Sequence, residues 1–221
     1  LLDLFAGAGG AARGYRNAGF CVLGVDIKPQ PRYVPHGGCR FVQADALDYL
    51  AAHGHEFDAV HASPPCQAYS PMSLNRSAHP DLYAPTRAAA RATQRPYVIE
   101  NVIGAPYQSG IVLCGSMFNL TEGDEWIQRH RNFETSWLMF QPACDHRKNR
   151  SALLVTGHGF IREARDFPGH SRQGPFDLAA RLMGIDWMDR RELVQAIPPA
   201  FTKWIGQRLL AHLAPSSVGR A

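Results

Sequence analysis

A chain of 221 residues, 45% of them apolar, with a formal net charge of +4 can bury a full core and is too long to need covalent staples. That composition excludes a disordered polyelectrolyte, and no apolar run reaches bilayer length or follows a signal-peptide pattern. The five scattered cysteines, Cys21, Cys39, Cys66, Cys114 and Cys144, are expected to be reduced thiols, as in a cytoplasmic protein.

Residues 1–5 read as a buried strand, and because the chain opens inside it, further residues are expected before Leu1. Ala6-Gly7-Ala8-Gly9-Gly10 then turns into a helix over 11–18, where glycines permit a tight turn and close approach to a ligand. Gly7-x-Gly9-x-x-Ala12 fits a loose dinucleotide fingerprint, with Asp26 closing a second strand over 20–26 to hold a ribose. The pattern indicates a nucleoside-containing cofactor without saying which. A third unit follows, a strand over 40–44 and a helix over 47–52. Three strand–helix units in succession predict an α/β fold with a doubly wound, mostly parallel sheet.

A fourth strand, 57–61, runs into Ala62-Ser63-Pro64-Pro65-Cys66-Gln67-Ala68-Tyr69-Ser70. Two prolines remove two backbone donors and fix φ, so the chain leaves the sheet as a stiff loop. Cys66 therefore lies past a strand's carboxyl end, where open α/β sheets place their ligands. A lone cysteine is more often a small buried hydrophobe, and only its position argues otherwise. Pro85 opens a helix to 93, and a strand over 95–102 delivers Glu100 and Asn101 at its end. Burial there would raise the Glu100 pKa and favour a bound proton.

A short strand is expected at 111–114, and 128–135 reads as one extended segment with Arg129 and Arg131 on the same face. From 127 to 175 eight basic residues face four acids, which suits a phosphate-facing surface. Glycine-rich 157–159 and 167–170 predict irregular loops suited to enter a groove. His36-x-x-Cys39 and Cys144-x-His146 could supply four zinc ligands, but their spacings are not those of a tight zinc site, and no metal is expected. Residues 187–214 read as closing helices, with Pro198 near the start of the last, and 215–221 as a polar tail.

Taken together, these motifs resemble those of the C5-cytosine DNA methyltransferases, of the bacterial or phage type with a small target-recognition region. Leu2-Asp3-Leu4-Phe5-Ala6-Gly7-x-Gly9-Gly10 resembles the first cofactor motif, and Pro64-Pro65-Cys66-Gln67-x-x-Ser70 the nucleophile motif. Glu100-Asn101-Val102 and Arg129-x-Arg131 resemble the glutamate and paired-arginine motifs, in the family's order. The resemblance implies a Rossmann-like S-adenosylmethionine-dependent methyltransferase with a small irregular basic insertion. Its parts would be a cofactor-binding and catalytic domain at 1–126, the arginine pair and recognition region at 127–180, closing helices at 181–214 and a tail at 215–221.

The resemblance further implies S-adenosylmethionine as cofactor, S-adenosylhomocysteine as product, and no metal. Phe5, Ala6, Gly7 and Gly10 would surround the cofactor, Asp26 its ribose, Asp45 its adenine amine and Pro65 its methionine end, with Ile27, Ala46, Gln195 and Ala196 completing the set. Asp26 stands where the family has glutamate, Gln195 where it has asparagine, and Ile127 where it prefers glutamine. Cys66 would be the nucleophile, Glu100 the donor to ring N3, and Arg131, helped by Arg129, the partner of O2. Gln67, Ser70, Arg147, Arg150, Arg162 and Arg165 would contact double-stranded DNA with the target base flipped out.

A cytoplasmic monomer without a membrane partner is expected, with or without a paired restriction nuclease. Because 134–175 offers only 42 residues, few side chains remain for base edges, and a target of about two to four base pairs is expected. Three alternatives stay open. A tRNA-acting branch of the same family carries the same catalytic set. An NAD-dependent oxidoreductase fits the glycine turn but leaves Cys66 and Glu100 without roles. A catalytically silent DNA-binding module follows if Gln195 spoils the cofactor site.

Overall fold

Continuous apolar runs without alternation make strands that must be covered on both faces. In the computed structural model, which describes residues 1–71, 73, 75–146, 151–156, 159–163 and 171–214 (159–163 and 171–173 as backbone only), those runs lie side by side. In chain order come β1 (Leu2–Leu4), α1 (Gly10–Ala18), β2 (Leu23–Asp26), α2 (Tyr33–His36), β3 (Arg40–Gln43), α3 (Ala46–His53), β4 (Val60–Ala62), α4 (Tyr83–Ala92) and β5 (Tyr97–Asn101). These five strands are mutually parallel in the order β3-β2-β1-β4-β5. The order reverses between β1 and β4, which opens a crevice at their carboxyl ends. The glycine turn leaves β1 there, and the Cys66 loop leaves β4 beside it.

The chain continues through β6 (Gly110–Leu113), β7 (Thr121–Glu122), β8 (Glu125–Gln128) and β9 (Arg131–Thr135). β9 runs antiparallel between β5 and β6 and completes a seven-stranded sheet. On one face α1 and α7 (Pro199–Leu213) bury Tyr15, Phe20, Phe133, Phe201 and Ile205. The Thr202 hydroxyl donates to the Ala11 carbonyl at 2.8 Å and locks the two helices together. On the other face α3 and α4 cover Leu4, Val25, Leu50, Tyr83 and Ile99. Burial of such a side chain stabilises the fold by about 1.5–3 kcal/mol.

The last third adds β10 (Ser151–Thr156), β11 (Gly159–Glu163), β12 (Ser171–Gln173), α5 (Phe176–Met183) and α6 (Arg190–Leu193) before α7. β10 to β12 join β7 and β8 in a second sheet, ordered β12-β11-β10-β8-β7, with β8 and β10 parallel. Strands β10 and β11 of the basic insertion pair antiparallel. α5 covers one face through Ile127, Leu153, Val155, Leu178, Leu182 and Met183. None of the described helices is long and apolar enough to cross a membrane.

One expectation needs correction. Residues 128–135 are not one extended segment: β8 ends in the second sheet at Gln128, and β9 begins in the first at Arg131. Arg129 and His130 form the crossover, so the two arginines do not share a strand face. Around the expected division at 126/127, the second sheet starts at Thr121 and 131–135 returns to the first. Local periodicity shows that residues are extended and says nothing about which sheet accepts their hydrogen bonds.

The antiparallel strand β9 carries Glu134 into the interior, where its side chain is 1% exposed. Arg87 of α4 meets it at 2.8 Å, the Tyr83 hydroxyl donates at 3.2 Å and the Gln108 amide at 3.1 Å. Truncating Arg87 to alanine leaves that carboxylate buried without its counter-charge, which costs about 3–5 kcal/mol. Urea denaturation of Arg87→Ala should show a loss of that size; a loss below about 1 kcal/mol, as for an exposed pair, would contradict the role given to this contact.

Candidate active site

The turn after β1 is strained. Phe5 has φ +58°, a region side chains other than glycine rarely occupy, and Gly7 follows at φ +50°. A Cβ on Gly7 would meet nothing within 4 Å, so this backbone faces open space. Gly10 differs: a Cβ there would stand 2.7 Å from the Ile197 carbonyl and 3.4 Å from the Ala196 Cβ. Gly10 and Ala196 therefore pack on each other and hold the end of the chain against the turn. Trp187 adds to that seal by donating to the Ala8 carbonyl at 2.9 Å.

Asp26, at the end of β2, accepts from the Gly7 amide through Oδ2 and from the Lys28 amide through Oδ1, each at 3.0 Å. Each oxygen keeps a lone pair for a ligand hydroxyl. Ile27 next to it is 65% exposed, a large apolar side chain in the open. Asp45 caps α3, accepting from Leu47 and Asp48 through Oδ1 at 2.8 and 3.1 Å. Ala46 is buried in the core beneath. Pro65 and Gln195 are exposed, with the Gln195 amide donating to the Glu192 carbonyl at 3.1 Å.

The start of the Cys66 loop is tied to β5, and the end of β5 is tied to β9. Asn101 donates through Nδ2 to the Pro64 carbonyl at 2.9 Å, and Asn132 of β9 donates to the Val102 carbonyl at 2.9 Å. The amides of Tyr69 and Ser70 both donate to the Cys66 carbonyl, at 3.0 and 2.9 Å, so the loop coils tightly behind the cysteine. Cys66 is half-buried, while Gln67 is exposed. Burial pushes the Cys66 thiol pKa up and Glu100 adds to it, with Arg131 and Arg129 pulling the other way. The sulfur rests as a thiol.

Glu100 is buried at the end of β5, and Arg131 Nε lies 3.0 Å from its Oε1. Burial raises its pKa, opposed by Arg131, Arg129 and a hydrogen bond from Ser63. Ser63 Oγ is 2.9 Å from His61 Nε2, and His61 Nδ1 is 3.0 Å from the Tyr15 hydroxyl. Burial drives the His61 pKa down to about 3, so the ring is neutral. Tyr15, raised well above its ordinary value by burial, keeps its proton. The hydrogens then run one way: Tyr15 to His61 Nδ1, His61 Nε2 to Ser63, and Ser63 to the Glu100 carboxylate.

Arg129 is 1% exposed and donates to the Val155 carbonyl at 2.9 Å and the Val194 carbonyl at 3.0 Å. It is a positioning residue: it binds β8 to β10 and to the turn before Gln195. The sequence reading overlooked Tyr15, His61 and Ser63. The available signal was a histidine and a serine two apart at the end of an otherwise apolar strand. His36-x-x-Cys39 does not join Cys144-x-His146: His36 stacks on Trp187 with centroids 5.4 Å apart, and the free thiol of Cys39 accepts a hydrogen bond from that of Cys21. Ser70 lies half-buried in the Cys66 loop, its carbonyl accepting from Arg76 at 3.0 Å. Of the expected base readers, Arg147, Arg150 and Arg165 lie outside the described residues. Arg162 lies on β11 in register with Leu153.

No family model matches the sequence. The Type II methyltransferase M.AgeI of Thalassovita gelatinovora is 29% identical over 131 residues, covering 52% of this chain and 30% of that relative. The likeness thus reaches less than a third of that protein's length. The crystal structure of the S. pombe Dnmt2 methyltransferase matches with a TM-score of 0.64 and 14% identity, over 97% of this chain and 98% of that one. Likeness at that identity concerns the fold: the chain has the Rossmann-like fold of that methyltransferase, as expected from its motifs.

Because Ser63 donates to the Glu100 carboxylate, it holds that carboxyl's pKa down against burial. Ser63→Ala should therefore raise the Glu100 pKa, read by NMR titration of a carbon-13-labelled glutamate carboxyl. An unchanged or lowered value would break the chain of donors described above.

Proposed function

We propose that this chain transfers a methyl group from S-adenosylmethionine to C5 of a cytosine flipped out of duplex DNA. The observation that carries the reading is the convergence, at one carboxyl edge, of a half-buried thiol, a buried carboxyl and a guanidinium 3.0 Å from it. Likeness to a Type II methyltransferase and the basic insertion favour DNA as the substrate. The residues present fit the cofactor: open space over Gly7, free lone pairs on Asp26 and the exposed Ile27 side chain together suit a nucleoside. Phe5, Ala6, Gly7, Asp26, Ile27, Asp45 and Pro65 would hold it, and Gly10 and Ala196 would support that turn from behind.

Cytosine C5 is a poor nucleophile until C6 is attacked. Cys66 gives its proton to solvent and its sulfur forms a bond to C6, and the electron pair displaced from the C5–C6 double bond makes C5 the nucleophilic carbon of an enamine. Glu100, in its protonated form, donates to ring N3 and takes up the charge that develops there. Arg131 donates to O2. S-adenosylmethionine, when bound, supplies the methyl group as a sulfonium-borne electrophile. Loss of the C5 proton to solvent then breaks the Cys66–C6 bond and expels the sulfur as a thiolate, which takes a proton back from solvent as Glu100 recovers the proton it shared with N3.

The reactive form needs a thiolate beside a protonated glutamate. Burial raises the pKa of both groups, and a charged Glu100 would raise that of the thiol further. Arg131 and Arg129 favour negative charge on the sulfur once Glu100 has been neutralised. A substrate that accepts a hydrogen bond from the carboxyl thereby helps to make the nucleophile.

Cys66→Ala should abolish methyl transfer and leave DNA binding largely intact, and duplex DNA carrying 5-fluorocytosine should trap the wild type as an adduct on Cys66. Retained turnover in the alanine variant would overturn the mechanism, and trapping on the matching RNA but not on DNA would move the substrate to RNA. Glu100→Gln should lower turnover about a hundredfold or more with little change in cofactor affinity. The target should specify about two to four base pairs, guanine beside the cytosine being read by arginine. Six or more specified bases would contradict that.

A further inference from the structure

Cys114, His130 and the Cys144-x-His146 pair come from three separate parts of the chain, yet one ligand atom from each residue lies within 4.8 Å of all the others. Cys114 Sγ stands 3.5 Å from His146 Nε2, and Cys144 Sγ stands 3.5 Å from His130 Nε2. In a tetrahedral zinc site with Zn–S of about 2.3 Å and Zn–N of about 2.0–2.1 Å, sulfur and nitrogen ligands sit about 3.6 Å apart. Two of the contacts already have that length. The third, 2.8 Å from Cys144 Sγ to His146 Nε2, is a thiol–imidazole contact that would widen on metal binding. We propose that these four residues hold a structural zinc ion.

The surroundings explain why a metal is useful here. On this side of the second sheet the buried cluster consists of Cys114, Trp126 and Ala152, with Met117 and Leu154 at its margin. The segment 136–146 has no helix or strand: Trp137 and Met139 pack on the first sheet's core, Gln141 accepts from the Val112 amide, and Leu138 and Phe140 are 80% exposed. Residues 142–146, which carry Cys144 and His146, are mostly exposed and have little apolar surface to hold them. His146 lies against the Trp126 ring, with centroids 5.1 Å apart, and 4.9 Å from the His130 ring. The Ser116 hydroxyl stands 3.4 Å from Cys144 Sγ, where it can donate to a thiolate. Two cysteines and two histidines with no open position make a closed site, suited to structure rather than to catalysis.

His130 sits between Arg129 and Arg131 on the crossover between the two sheets. A metal on it fixes the segment that presents Arg131 to Glu100, and through Cys144 and His146 ties that segment to the start of the basic insertion. The proposal does not depend on methyl transfer, and its test does not use activity. The full chain, purified without chelators, should carry about one zinc per molecule by mass spectrometry of the metal. Cobalt exchange should give the intense visible bands of tetrahedral coordination together with a thiolate charge-transfer band.

The double variant Cys144→Ser/His146→Ala should lose the metal, whereas Cys39→Ser should keep it. Chelation should lower the melting temperature of the wild type and not that of the double variant. The wild-type cobalt spectrum decides even where the variant fails to fold. An octahedral spectrum, a metal retained by the double variant, or a chain that takes up neither ion under reducing conditions would overturn the proposal.

Discussion

A carboxyl group buried at the end of a central strand, with a guanidinium 3.0 Å away, sets the terms on which the rest of this molecule is arranged. Burial alone would keep Glu100 protonated, and a guanidinium alone would keep it charged. The two influences oppose each other here, with Ser63 and the buried His61–Tyr15 pair behind them. Such a group is poised to change its protonation state when a ligand arrives. The fold has to hold Arg131 at that distance, and Arg131 stands at the first residue of the antiparallel strand that enters from the second sheet.

The crossover between the sheets therefore becomes the mechanical centre. Arg129 spends its guanidinium on two main-chain carbonyls, one on β10 and one in the turn before Gln195. His130 reaches the cysteine–histidine cluster, and Arg131 reaches Glu100. Three consecutive residues thus connect the basic insertion, the chain's closing turn and the reactive edge. Asn101 and Asn132 extend that connection to the Cys66 loop by bonding the carbonyls of Pro64 and Val102.

Much of this was legible in the sequence. The strand–helix alternation gave the parallel sheet, and the Pro64-Pro65 pair placed Cys66 in a stiff loop at its edge. Glu100 could be read as buried because it ends an apolar run. What stayed hidden depends on partners far along the chain. No local pattern says that residues 128 and 131 lie in different sheets, or that Arg129 turns inward to the carbonyls of 155 and 194. The cysteine–histidine cluster was hidden for the same reason: only Cys144 and His146 are close in sequence, and Cys114 and His130 join them through sheet packing. Gly10 stands in the stretch that resembles a cofactor motif, yet its missing side chain makes room for the Ile197 carbonyl.

The central claim is that this edge methylates cytosine at C5, and base-resolution mapping of methylcytosine tests it most directly. Duplex DNA of diverse sequence would be incubated with the full chain and S-adenosylmethionine, with Cys66→Ala in parallel. Methyl groups should appear at C5 of cytosines within one short motif, and only with the wild-type chain. Unmodified cytosines, or methyl groups on exocyclic nitrogens, would contradict the chemistry assigned to Cys66 and Glu100.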